Sequence, residues 1–307
     1  MPILNTFAGN PLDRAGDLRN DPDWLAAQEA NPEAQAMVLW EGRPLVEETA
    51  EGPRLAWLSL EHARDMVTDR DLFLGLWKAA PVFAVEFEGS IDPAGGPVRG
   101  LGVFHEMRAA AAVLPGADAA MAGAAKSLFD WRRRHGFCAA CGTLTQNAAG
   151  GWKRRCPACG TEHFPRVDPV VIMLPVFKGG DEPRCLLGRQ AAWPQGRMSA
   201  LAGFLEPGES IEEACAREVK EEAGLIVVEA RYHSSQPWPF PSQLMIGLIA
   251  EVSDDQARPD QTELEAVAWL TRAEARAVLA GEHPTIQAPP PFAIAHKLIG
   301  AWAEETP

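Results

Sequence analysis

Two close cysteine pairs, Cys138-Ala-Ala-Cys141 and Cys156-Pro-Ala-Cys159, are the first residues whose type and spacing imply chemistry. A glycine follows each pair, Gly142 and Gly160, and lets the backbone fold back so that four thiolates converge tetrahedrally on one Zn²⁺. Two redox pairs are the alternative, but the shared glycines and the ribbon-like spacing favour zinc. A closed Cys₄ shell leaves no position for water, so this metal is expected to staple the fold rather than react. The lone Cys185 and Cys215 are expected to be small buried apolar residues. A second constellation is acidic. Glu218, Glu221 and Glu222 stand at i, i+3 and i+4, which on a helix gathers three carboxylates on one face. Such a face is either solvated or compensated by a cation. The preceding loop, Gly203-Phe-Leu-Glu-Pro-Gly-Glu209, favours the cation, because its glycines turn the chain sharply and bring a further acid toward the same face.

The boundaries of the carboxylate helix are legible. Ser210 with Glu213 forms a capping box and Gly224 supplies the C′ position, so the spacing predicts a helix of about thirteen residues from Ile211 to Ala223. The full pattern is G-x5-E-x7-R-E-U-x-E-E-x-G-U, with Val219 and Leu225 at the apolar positions, and it is met without a departure. This resembles the Nudix hydrolase box. The resemblance implies an α+β Nudix fold, a mixed sheet between helices, hydrolysing a nucleoside diphosphate linked to another group with Mg²⁺ or Mn²⁺. Oxygen ligands suit these hard cations, which neutralise developing charge and lower the pKa of an attacking water. By the same resemblance Glu218 and Glu222 are the main metal ligands. Glu221 is a further ligand or base, and Ala202 offers a backbone carbonyl. Arg217 orients a carboxylate, commonly Glu209, and Glu221 or Glu222 helps deprotonate the water.

Downstream stands Ser235-Gln236-Pro237-Trp238-Pro239-Phe240-Pro241-Ser242-Gln243. Prolines alternating with aromatics make a stiff, extended loop that presents flat rings for stacking a base or nicotinamide. The string is similar to the signature of the NADH pyrophosphatase and NAD-capped RNA hydrolase subfamily, except that Gln243 replaces the usual final serine. That resemblance extends from the ribbon to the chain end. It implies substrate contacts at Phe164, Phe204, Gln236, Pro237, Trp238, Pro239, Phe240, Pro241, Ser242, Gln243 and Ala295, with Phe204 and Trp238 sandwiching the ring. It also implies a further metal-binding acid at Glu263, and a homodimer in which a partner subunit supplies one ring. Phe164 stands where the family often has tyrosine, so a hydroxyl is missing there. The expected activity is hydrolysis of NAD(H) to AMP and NMN(H), with NAD-capped RNA as an additional substrate. A non-catalytic, nucleotide-sensing Nudix module with its ribbon on another partner is the reading from a different class; it requires lost box carboxylates, and all are present.

The rest of the chain must position these groups. With 307 residues, 47% hydrophobic, it is long enough for more than one compact domain. The motifs divide it into an N-terminal α/β domain (1–130), a zinc ribbon (131–165) and a Nudix domain (166–307). Runs such as Ala36–Trp40 and Pro81–Phe87 read as strands and Ala109–His135 as helix with a turn near Pro115. In the last domain Val170–Phe177 and Leu244–Val252 read as strands, and Arg272–Ala280 as a helix. No internal repeat is legible. The net charge of −14 argues against a protein that coats nucleic acid, although Arg132, Arg133, Arg134, His135, Lys153, Arg154 and Arg155 crowd the ribbon. A solvated helix end and hairpin is the simpler account of that cluster, and a local phosphate contact the other. Neither a secretory leader nor a spanning segment is legible, which makes the cytoplasm the expected location and excludes a membrane partner.

Overall fold

The computed structural model describes residues 5–66, 72–89 and 92–305. The chain divides into two compact units. One comprises 7–167 with 238–242, so the ribbon packs with the N-terminal domain rather than standing apart; the other comprises 1–6, 168–237 and 243–307.

The first unit runs α1 (Pro22–Glu29), β1 (Gln35–Trp40), β2 (Arg43–Thr49), β3 (Gly52–Leu55), β4 (Trp57–Ser59), α2 (Leu60–Met66), β5 (Leu72–Trp77), β6 (Ala80–Phe87), β7 (Val103–Phe104), α3 (Met107–Val113) and α4 (Gly116–Arg134). The ribbon adds β8 (Gln146–Ala148), β9 (Lys153–Arg155) and β10 (Glu162–His163), an antiparallel three-stranded sheet. The expected strands and the break between α3 and α4 at Leu114 and Pro115 are present, because proline ends one helix and suits the start of the next.

The second unit runs β11 (Asp168–Phe177), β12 (Arg184–Arg189), β13 (Leu201–Phe204), α5 (Ile211–Ala223), β14 (Val227–Trp238), β15 (Gln243–Val252), β16 (Ala266–Thr271), α6 (Arg272–Ala280) and α7 (Ile294–Glu304). Its sheet is mixed, in the order β14-β15-β11-β12-β16, with β11 parallel to β15 and antiparallel to β12 and β13. Alternation along β11 sets the layers. Val171 and Met173 pack into the core under α5, whereas Ile172, Leu174 and Val176 pack into the core under α6 and α7. The carboxylate helix therefore occupies one face of the sheet and the two later helices the other.

The N-terminal unit repeats this plan, a relation that no short motif of the chain marks. Its sheet follows β5-β6-β1-β2-β3, with β1 parallel to β6 and antiparallel to β2 and β4. Strand for strand, β1, β2, β4, β5 and β6 occupy the places of β11, β12, β13, β14 and β15, and the short α2 falls where α5 falls. Topology survives where side-chain identity has diverged, because a sheet needs only alternating apolar residues on its covered face.

Candidate active site

The carboxylate helix has the predicted bounds. Ser210 accepts from the Glu213 amide at 3.2 Å, Glu213 accepts from the Ser210 amide at 2.7 Å, and Gly224 closes the helix in the left-handed conformation at φ 71°. Ala214, Cys215, Val219 and Ala223 bury the apolar stripe, and Glu218 and Glu222 are buried beside it at 8% and 3% exposure. Gly203 on β13 makes room for one of them: a Cβ there would lie 1.8 Å from the Glu218 carboxyl carbon, so only glycine lets that carboxylate rest against the strand.

Arg217 organises the acids. Its Nε and Nη2 donate to the two oxygens of Glu209 at 2.6 and 2.9 Å, which is the bidentate pairing expected of guanidinium and carboxylate. Nη1 reaches Glu218 at 2.8 Å and Glu221 at 2.9 Å, and Nη2 also reaches the Phe204 carbonyl at 2.9 Å. The hydrogen bonds from Arg217 hold the Glu209 carboxyl down to about 2. Burial pushes Glu218 up, against the pull of Arg217. Glu222 has no such cation. Burial first, then the charges of Glu218 and Glu263, push it up to about 8, opposed by the Ala202 amide. Its Oε2 is buried and has no hydrogen-bond partner.

Glu263 arrives from the loop before β16, and the side chain of Asp260 holds that loop by accepting from the Glu263 amide at 3.0 Å and the Leu264 amide at 2.9 Å. The Asp260 amide in turn meets the Glu222 carbonyl at 3.3 Å, which docks the loop on α5. Sequence reasoning missed Asp260; an Asx turn three residues before an expected ligand was the available signal. Glu218, Glu222 and Glu263 thus repel one another, and of Glu218 and Glu222 only Glu218 is answered by a cation, Arg217. A buried carboxylate oxygen without a donor, beside further acids and the Ala202 strand, suits hard divalent cations, and Glu218, Glu221, Glu222 and Glu263 are the oxygen donors that would hold them.

The proline–aromatic string is divided between the units. Gln236 is fully buried: its amide nitrogen donates to the Thr6 and Phe292 carbonyls at 3.1 and 2.8 Å, and its oxygen accepts from the Ile294 amide at 2.8 Å. All these contacts are within the protein, so this side chain braces the N-terminus of α7 where the sequence reading has it touching substrate. Ala295 is 2% exposed in the first turn of α7, where main-chain amides lack intrahelical acceptors. Trp238 and Phe240 pack edge to face at 5.0 Å, with Phe7 edge-on to both. Arg108 lies over the Phe240 ring at 4.3 Å and Lys126 at 5.5 Å, so α3 and α4 seat this loop. Pro239 approaches Gly123 closely, Ser127 Oγ reaches the Pro241 carbonyl at 3.5 Å, and the Phe240–Pro241 bond is cis. Pro237, Ser242 and Gln243 join the loop to β14 and β15. Phe204 and Phe164 are exposed.

The ribbon brings its four sulfurs together. They lie within 4.8 Å of one another, with Cys138–Cys159 at 3.6 Å and Cys141 at 3.5 Å from both Cys156 and Cys159. Zinc–sulfur bonds of about 2.3 Å in a tetrahedron place sulfurs about 3.8 Å apart, so the residues fit a structural zinc. Each pair forms the same knuckle. Gly142 and Gly160, at φ 75° and 76°, donate to the Cys138 and Cys156 carbonyls, and Thr143 and Thr161 lie against Cys141 and Cys159. The Thr161 contacts draw the Cys159 thiol down to about 6. Cys185 and Cys215 are buried in the core of the other unit, as expected.

The basic cluster at the ribbon is turned largely to internal use. Arg133 pairs with Glu86 and Asp130, Lys153 with Glu162, and Arg154 bonds Thr145 and Asn147. Arg132 is buried over Phe129 and His135 stacks on Trp131; Arg134 and Arg155 remain exposed. Among the described residues no helix is long and apolar enough to cross a membrane.

Comparison with known proteins agrees with these parts. Residues 167–289 match the NUDIX domain, 33–131 the NADH pyrophosphatase-like rudimentary NUDIX domain, and 133–164 the NADH pyrophosphatase zinc ribbon domain. The chain is 35% identical to the NAD-capped RNA hydrolase NUDT12 of Macaca fascicularis, over 99% of this chain and 74% of that protein. It is 40% identical to the NAD-capped RNA hydrolase NudC of Mycobacterium bovis over 64% of each chain. To the human mitochondrial NAD(P)H pyrophosphatase NUDT13 it is 40% identical, over 66% of this chain and 60% of the other.

Proposed function

The chain belongs to the Nudix hydrolases, in the branch that carries an NADH pyrophosphatase-like domain and zinc ribbon, and on that premise we propose that it hydrolyses the pyrophosphate of NAD(H) to AMP and NMN(H). The observation that carries this reading is the uncompensated Glu222, held beside Glu218 and Glu263 in a site whose one organising cation, Arg217, is spent on Glu209, Glu218 and Glu221. A divalent ion held by Glu218, Glu222 and Glu263 would supply the missing positive charge and Lewis acidity toward a phosphate oxygen and a water. The chain's own part is to position. Arg217 fixes the loop acid and the Phe204 carbonyl, Gly203 admits the Glu218 carboxylate, and Asp260 holds Glu263 in place. Glu221, the most exposed of the box acids, is the residue we assign to taking the proton from the attacking water. Within the catalytic unit Phe204 is the ring assigned to the base or nicotinamide, with Ala295 contributing a main-chain amide; Phe164, Trp238 and Phe240 are assigned as substrate contacts on the resemblance alone.

The relatives named NAD-capped RNA hydrolases favour a 5′ NAD cap as a second form of the same substrate. We retain the three-part division near residues 130 and 165, and a homodimer in the cytoplasm, as parts of this proposal. The direct test incubates purified protein with NADH and with NAD-capped RNA, each with Mg²⁺ or Mn²⁺, and separates the products. AMP and NMNH from NADH are expected; absence of both with either metal overturns the activity. Sedimentation equilibrium tests the dimer, and a monomer at working concentration removes it.

A further inference from the structure

We propose that Arg14 and Arg19, stacked together on the Trp152 indole, form a phosphodiester site that holds the RNA chain behind a 5′ NAD cap. The site rests on the reading of capped RNA as a substrate, and none of its residues belongs to the catalytic unit. The geometry brings two like charges to one ring. The guanidinium carbons of Arg14 and Arg19 lie 5.1 and 4.3 Å from the Trp152 ring centre, and Arg19 Nη1 donates to the Arg14 carbonyl at 3.4 Å. Arg14 is exposed and Arg19 half-buried, so the pair is open to solvent.

Ring and loop are both held in place. The Trp152 indole Nε1 donates to the Phe73 carbonyl at 2.6 Å. Asp13 pairs with Leu76 on β5 through two main-chain bonds, at 3.0 and 2.7 Å, and a Cβ at Gly75 would come within 2.4 Å of the Asp13 carbonyl oxygen, so glycine admits that close approach. Leu12 and Ala15 are buried, Ala15 with φ at 45°, and the next turn, Leu18–Asn20, delivers Arg19.

One cation on an indole is ordinary packing. The second adds repulsion, and the acids beside it in the sequence do not relieve it. Asp13 turns its carboxylate to the Ala15 amide at 2.9 Å, and Asp17 is exposed and bonds neither arginine. Among the described residues neither guanidinium has an ion pair. Burial first, and the charge of Arg14 second, draw the Arg19 guanidinium below its ordinary value. An anion shared by the two relieves the repulsion, and the planar forks match phosphate oxygens. Phosphates repeat along an RNA strand, whereas NADH has only the pyrophosphate assigned to the metal site. A net charge of −14 disfavours a general nucleic-acid coat, so a short patch of this kind serves a strand already tethered by its cap.

The probe is a fluorescein-labelled, uncapped single-stranded RNA of about twenty nucleotides, titrated by anisotropy with full-length protein in the absence of divalent metal. Arg14→Gln combined with Arg19→Gln should weaken binding about tenfold or more at low salt. It should also make the dependence of log K on log salt shallower by about 0.7 for each lost phosphate. NADH hydrolysis by the same variant should be unchanged and its KM for NAD-capped RNA raised. Equal affinity and slope in both proteins overturns the proposal, as does the absence of RNA binding by the wild type. If the variant melts, ultraviolet cross-linking of the wild-type complex decides: RNA attached to peptides containing Arg14, Arg19 or Trp152 is expected, and attachment only elsewhere refutes the site. Millimolar inorganic phosphate at constant ionic strength should leave the RNA bound; full displacement marks a free-phosphate site and overturns the assignment to RNA. RNA binding that depends on these arginines supports the site even where NADH is not hydrolysed, which separates this proposal from the catalytic one.

Discussion

The two mixed sheets of this chain share a strand plan and treat a buried glutamate in opposite ways. In the N-terminal copy Glu86, 2% exposed on β6, accepts from the Gly42 amide at 2.9 Å and from Arg133 at 2.9 Å. In the catalytic copy Glu222, 3% exposed on α5, has a buried oxygen with no partner, and the Ala202 amide and further acids, but no cation, stand beside it. Burial raises both carboxyls above their ordinary range, yet a protein cation answers the first and none answers the second. The helices differ in the same sense. The thirteen residues of α5 bury Glu218 and Glu222, while the seven of α2 bury only Leu60 and Ala63 and leave Glu61 and Asp65 in solvent. The N-terminal copy neutralises its buried charge from within, whereas the catalytic copy leaves that charge free to meet a divalent ion.

The sharpest way to break this comparison is to exchange charge for amide in each copy. Glu218→Gln should lower turnover of NADH by about 10³-fold or more, whereas Glu61→Gln with Asp65→Asn in α2 should leave it unchanged; steady-state kinetics at saturating Mg²⁺ decides. Next in size is Gly203→Ala. The added methyl displaces the Glu218 carboxylate, and a loss of about 10²-fold in turnover is expected, because donors and ligands must be held to a fraction of an ångström. Retention of full activity would show that the close approach at Gly203 is packing alone.

A smaller effect separates stability from function. With its folded value raised to about 8 against an ordinary 4.5, Glu222 keeps its proton in the folded state between these pH values while the unfolded chain releases it. Stability of the metal-free protein should therefore fall as pH rises through that window. Glu222→Gln should flatten the fall and raise the melting temperature by a few degrees at pH 8 in EDTA, even as activity is lost. An unchanged profile would mean that the carboxylate is already compensated. Smallest is the counterpart in the other copy. Arg133→Gln leaves Glu86 with only its amide partner and should cost about 1–2 kcal/mol in urea unfolding, discounted because the arginine is partly exposed. Combining it with Glu86→Gln should recover most of that loss.

How much of this was legible varied with the kind of signal. The bounds of α5 follow from Ser210, Glu213 and Gly224 because caps and left-handed glycines are local events, satisfied by residues a few positions apart. The zinc cluster is equally local within each knuckle. The bracing role of Gln236 was hidden for the opposite reason: its partners Thr6, Phe292 and Ile294 are distant in sequence, and a signature string does not say which of its side chains face inward. The basic run at the ribbon, similarly, does not disclose that Arg133 of α4 is committed to Glu86 on β6.

By itself, then, the sequence determined the carboxylate helix, the ribbon, the order of domains and the family to which they belong, since each rests on residue types at short, fixed spacing. Only the tertiary structure decided which strands pair in the N-terminal copy of the plan, that Asp260 sets Glu263, and that Glu222 is left without a counter-charge. Those depend on which strands lie side by side and on what burial leaves unpaired, and neither is a property of neighbouring residues in the chain.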